Sequence, residues 1–137
     1  MAGMTTSIEL LRPPGLVQSP AFSHVAVLPP NATQILVGGQ NGVDGEGRVV
    51  GDDIVAQVEQ TMTNLETALA GAGATLADLI SLTVLLVDGV DLRAGYGAAA
   101  RRLTGGDRAP LITAAIVSAL GVPGALVEVS AVAAVVR

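Results

Sequence analysis

The residue of this chain best suited to do chemistry is a carboxylate inside an apolar strand. Residues 124–137 read GALVEVSAVAAVVR, and Glu128 is the only acid after Asp107. Side chains alternate across a strand, so Leu126, Glu128 and Ser130 share one face and Val127, Val129 and Ala131 the other. A carboxylate in a cleft partly shielded from water can have its pKa raised and serve as a general base near neutrality. On a solvated strand face the same residue is only a surface charge, and the residues alone leave both readings open. Other reactive types are few. His24, the single histidine, could be a base, but it also fits strand packing with its ring satisfied. Phe22 and Tyr96 are the only aromatics, and the Tyr96 hydroxyl could bind a ligand or cap a neighbouring helix. The absence of cysteine excludes disulfides and thiol chemistry and fits a cytoplasmic location. With one histidine and no cysteine, no metal site is expected.

Charge and loop chemistry narrow the function classes further. Net charge is −5, and the only basic cluster is Arg101-Arg102. Nucleic-acid binding needs a positive surface to neutralise phosphates, so none is expected. The glycine-rich stretch QNGVDGEGRVVGDD (residues 40–53) matches neither the phosphate-loop nor the dinucleotide fingerprint, and its glycines are read as turn residues. No apolar run approaches the ~20 residues of a membrane helix, and the first residues show no signal peptide.

The elements that must position these residues follow from periodicity. One domain over residues 1–137 is expected. Strands are predicted at residues 5–12, 22–28, 34–39, 79–87, 111–120 and 126–136, with the second and third forming a hairpin around Pro29-Pro30. Ile54, Val58, Met62, Leu65 and Leu69 form one face of a helix capped by Asp52 or Asp53 and stopped by Gly71 and Gly73. Gln57, Glu59, Gln60, Asn64 and Glu66 fall mostly off that face. An Ala-rich second helix spans residues 91–103, weakened by about 1 kcal/mol each at Gly95 and Gly97. Half the residues are hydrophobic and mean hydropathy is +0.61, so the core is built from Val, Leu, Ile and Ala. Two helices cover one face of a six-stranded sheet. The other face is still apolar, which predicts a closed homo-oligomer.

Several stretches together resemble the RidA/YjgF family, the reactive intermediate deaminases also called the endoribonuclease L-PSP family. They are Gly38-Gly39-Gln40 at a strand end, Val49-Val50 before the helix, QTMTNLETALAGAGATLADL (residues 60–79) and PGALVEVSAVA (residues 123–133). The resemblance covers residues 16–137. It implies a chorismate-mutase-like α/β fold of order β-β-β-α-β-α-β-β, with a mixed six-stranded sheet and two helices on one face. It also implies a trimeric barrel with clefts between subunits, a small-molecule ligand and no cofactor. The implied activity is hydrolysis of 2-imino acids and their enamine tautomers to 2-keto acids and ammonia.

Carried over residue by residue, the resemblance makes Glu128 the catalytic group that positions or activates water. Phe22, Gly38, Gly39, Tyr96, Ile112 and Ala114 become the substrate-binding positions. Phe22 stands where a tyrosine is usual, and Gly38 and Gly39 permit close backbone approach. The main departure is at Pro110-Leu111-Ile112-Thr113, where the family reads P-A-R-[ST]. Ile112 takes the place of the arginine that clamps a substrate carboxylate. Arg108 lies four residues earlier, about 13 Å along an extended strand. It, Arg101 and Arg102 are read as surface groups. The expectation is a deaminase for a small imine or enamine other than a simple 2-imino acid. The alternative is a non-catalytic ligand-binding or regulatory trimer.

Overall fold

The computed structural model describes residues 7–137. Its elements are strands β1 (Glu9–Leu11), β2 (Val25–Val27) and β3 (Ala32–Asn41), helix α1 (Ile54–Gly71), strand β4 (Leu79–Val87), helix α2 (Leu92–Ala100), and strands β5 (Leu111–Val117) and β6 (Val127–Val136). This is the order read from the sequence. Residues 5 and 6 of the first expected strand lie outside the described residues.

The strands pair differently from the expected single sheet. β3, β6, β4 and β5 form a four-stranded mixed sheet in that order, with only β4 and β5 parallel. β1 and β2 form a separate antiparallel ribbon, tied to the sheet by a bridge between Ser23 and Leu111. The predicted hairpin of the second and third strands is therefore absent: β2 pairs with β1, and β3 with β6. Prolines explain the break. Pro13, Pro14, Pro20, Pro29 and Pro30 flank the two short strands, and a residue without an N–H cannot extend a ladder.

Helix α1 organises the rest. Asp53 caps it by accepting the Ala56 N–H at 3.0 Å. Gly73, at φ +76°, lets the chain turn away after its last turn. Its apolar stripe, Met62, Leu65 and Leu69 included, packs on Leu82, Val84, Leu86, Val127 and Val129 of the sheet. Helix α2, capped by Asp91, lies against α1, where Gly95 comes close to Ile54.

Gln57 departs from its expected place off the apolar face. It is fully buried, and its amide joins two loops. Nε2 donates to the carbonyls of Gly51 (2.6 Å) and Gly124 (3.1 Å), and Oε1 accepts the Leu126 N–H at 2.8 Å. Asn64 similarly donates to the carbonyls of Asn41 and Val43, both at 2.9 Å. Gly42 passes so near α1 that a Cβ there would lie 2.7 Å from the Gln57 backbone. These contacts hold the 42–51 loop and the start of β6 to one helix. Within the loop, Asp44 accepts the backbone N–H groups of Glu46 and Arg48, which holds its carboxyl below the ordinary range.

Among the described residues no helix lies over the far face of the sheet. Leu36 is 76% exposed there, beside the cross-strand residue Val132.

Candidate active site

The sheet register sorts the expected site residues onto two faces. Glu128 pairs across with Leu85, which pairs in turn with Ala115. Val129 pairs with Val84, which pairs in turn with Ala114, and Ala131 pairs with Leu82, which pairs in turn with Ile112. Directly paired residues share a face. Glu128 therefore looks away from the helices, whereas Ile112 and Ala114 look toward them. The two groups cannot meet within one chain.

On the uncovered face, Glu128 lies across a glycine. The β3–β6 register shifts between Val37 and Gln40, a bulge that takes up Gly38 and Gly39. A Cβ on Gly39 would sit 2.8 Å from Cδ and Oε2 of Glu128, so this position must stay bare for the carboxylate to lie where it does. Gly38 faces open space. The Glu128 side chain is half-buried and, among the described residues, forms no hydrogen bond or ion pair.

On the helix side, Phe22, Tyr96, Ile112 and Ala114 come together around a cavity of about 400 Å³. The sequence separates them by up to 92 positions, and β2's approach, α2 and β5 bring them to one place. Met62, Leu82, Val84 and Val129 close the floor, and Ala21, Ala99, Ala100, Leu103, Thr104 and Gly105 complete the wall. The only side-chain hydroxyls on the lining belong to Tyr96 and Thr104, and neither has a partner among the described residues. Phe22 lies on a loop and Ile112 near the start of β5, and backbone bonds hold this rim. The Ser23 N–H donates to the Pro110 carbonyl at 3.1 Å, and the Gly106 N–H to that of Pro20 at 2.9 Å.

Arg12, which sequence reasoning did not single out, straps this rim. Its Nε donates to the Phe22 carbonyl at 3.0 Å and its terminal nitrogen to that of Gly106. Arginine in a first strand carries no sequence signal for such a role, because its partners lie 10 and 94 residues away.

The remaining candidates are engaged elsewhere. The His24 ring meets Phe22 edge-on with centroids 5.4 Å apart, and its Nε2 donates to the Val17 carbonyl at 2.7 Å. Arg101 pairs with Glu59 at 3.8 Å, and Arg102 with Glu66 and Thr63 at 3.3 Å. Arg108 donates to the Ala77 carbonyl at 2.7 Å. None of them lines the cavity.

Among the described residues no helix is long and apolar enough to cross a membrane.

Comparison with known proteins agrees with the geometry. The family model described as Endoribonuclease L-PSP matches residues 17–135. No match to a curated protein is found. Among solved structures, the chain is similar to a protein of unknown function of the Rid family, YyfB from Yersinia pestis. The identity is 27% and the TM-score 0.78, over 95% of this chain and 100% of that one. It is 30% identical to a YjgF/YER057c/UK114 family member from Mycobacterium tuberculosis, with a TM-score of 0.64 over 94% and 100%. It is 25% identical to RidA from an Antarctic Psychrobacter, with a TM-score of 0.67 over 87% and 98%. The chain thus belongs to the endoribonuclease L-PSP family, with the fold of the RidA/YjgF proteins.

Proposed function

We propose that the protein is a cytoplasmic hydrolase of a small imine or enamine, working as a homotrimer without a cofactor. Its site lies in the cleft between two subunits, where Glu128 of one reaches the apolar cavity of the next. The observation that carries this reading is the bare, unpartnered carboxylate of Glu128 held over Gly39 in a chain of this family. The opposite facing of Glu128 and Ile112 supports a shared site, because only a second subunit can supply the missing half.

The chemistry balances with these groups. An enamine first takes a proton on its β-carbon and gives one up from nitrogen to become the imine. Glu128 accepts a proton from water as the water oxygen bonds to the imine carbon. The proton passes to nitrogen to give a carbinolamine, whose hydroxyl proton then moves to nitrogen as the C–N bond breaks, and a carbonyl compound and ammonia leave. Positioned general-base catalysis of this kind contributes roughly 10²–10⁴-fold. Ile112 offers no hydrogen-bond donor to a carboxylate, so simple 2-imino acids are poor substrates.

The test is ammonia release from 2-iminopropanoate generated in situ and from an imine without a carboxylate. Wild type should favour the second, and Glu128→Gln should lose turnover on both. Tight binding with no turnover of any imine would replace this reading with that of a ligand-binding trimer.

A further inference from the structure

The site's cavity says more about the ligand than the reaction does. We infer that it takes a neutral molecule whose bulk is one compact hydrocarbon group, of about the size of a phenyl ring or branched alkyl, and that Ile112 and Ala114 select it. The inference shares its site with the proposed hydrolase, but it concerns binding and does not require turnover.

Three observations carry it. The lining holds no charged side chain, and none of the seven arginines that make up the chain's cations reaches it. An anion placed there would lose its hydration with nothing to replace it. Second, the volume of about 400 Å³ lies toward the lower end of the small-molecule range of roughly 300–1,000 Å³. Third, the cavity ends on the core rather than running through it. Its floor residues Met62, Leu82 and Val129 are only 1–2% exposed. The space exists because small residues, Ala99, Ala100 and Ala114, stand where larger ones would fill it. The unpartnered hydroxyls of Tyr96 and Thr104 give one neutral polar atom of the ligand something to bond.

Acetophenone and benzoate have nearly the same size and differ in charge, which makes them suitable probes. Titration of the full-length protein, followed by calorimetry or amide shifts, should show acetophenone binding at least about tenfold tighter than benzoate. Ala114→Leu, which fills the cavity from an exposed strand position, should weaken acetophenone about tenfold or more. Ala100→Leu is the second variant should the first fail to fold. Ile112→Arg should reverse the order of the two probes. Benzoate binding as tightly as acetophenone would overturn the inference. So would an absence of acetophenone binding, or affinities indifferent to Ala114→Leu, as when a neighbouring subunit's side chain plugs the cavity. The expected affinities without any imine turnover would sink the hydrolase alone. Imine turnover without preference for the neutral ring would sink only this inference.

Discussion

At the scale of single residues, Glu128 and Gly39 act as a pair. The carboxylate is held by shape, since glycine leaves room for it, rather than by a hydrogen bond. Glu128→Gln keeps that shape and removes the base. It should lower imine hydrolysis by roughly 10²-fold or more while thermal unfolding stays within a few degrees of wild type. Gly39→Ala tests the shape itself. The added methyl would overlap the carboxylate, whose flexible end can swing aside at little cost in stability. Activity should fall about tenfold or more with the melting temperature nearly unchanged, and an unaffected kcat would show that the carboxylate's seat does not matter. Glu128 was legible in the sequence as a lone acid in an apolar strand. The role of Gly39 was not, because steric contact with Glu128 depends on a bulge in a partner strand 89 residues away.

At the scale of elements, α1 does two jobs: its apolar stripe builds the core and its polar residues fasten loops. The stripe was readable from spacing. The fastening was not, since an amide at a helical position has no pattern that reveals which carbonyls will surround it. Gln57→Leu should leave the Gly51 and Gly124 carbonyls and the Leu126 N–H without partners. A cost of about 2–4 kcal/mol is expected in urea unfolding, and a loss below 1 kcal/mol would mean water replaces the amide. The ribbon offers a second test. Arg12→Met removes both rim hydrogen bonds, so the Gly106 amide should exchange with solvent faster. KM for the neutral imine should rise more than kcat falls, because the strap positions the cavity wall rather than the reacting atoms.

At the scale of the whole molecule, the decisive feature is that the sheet has one face covered by helices and one open. In a single chain the open face leaves Leu36 in water and Glu128 without a substrate. The proposed trimer would answer both. Leu36→Glu costs the isolated chain little, as the side chain is already exposed. By sedimentation it should convert trimers to monomers and abolish turnover, whereas a full-activity monomer would rule out a shared site. Mixed trimers sharpen the point. Glu128→Gln and Ala114→Leu chains, each inactive alone, should recover about a quarter of wild-type turnover when refolded together in equal amounts, the fraction of sites that draws an intact half from each. No recovery would mean that Glu128 and the cavity do not form one shared site.

The sequence by itself determined what depends on local pattern. The order of eight elements, the helical stripe, a capping acid at Asp52 or Asp53, and the alternation that sets Glu128 apart from Val127 and Val129 are all properties of neighbours along the chain. Tertiary structure alone decided the rest. It split six strands into a sheet of four and a ribbon of two, because strand partners are chosen by long-range burial and by prolines that interrupt ladders. It gathered Phe22, Tyr96, Ile112 and Ala114 around one cavity and turned Glu128 to the opposite face. That separation follows from the register between three strands, and no one strand's sequence records its register against another.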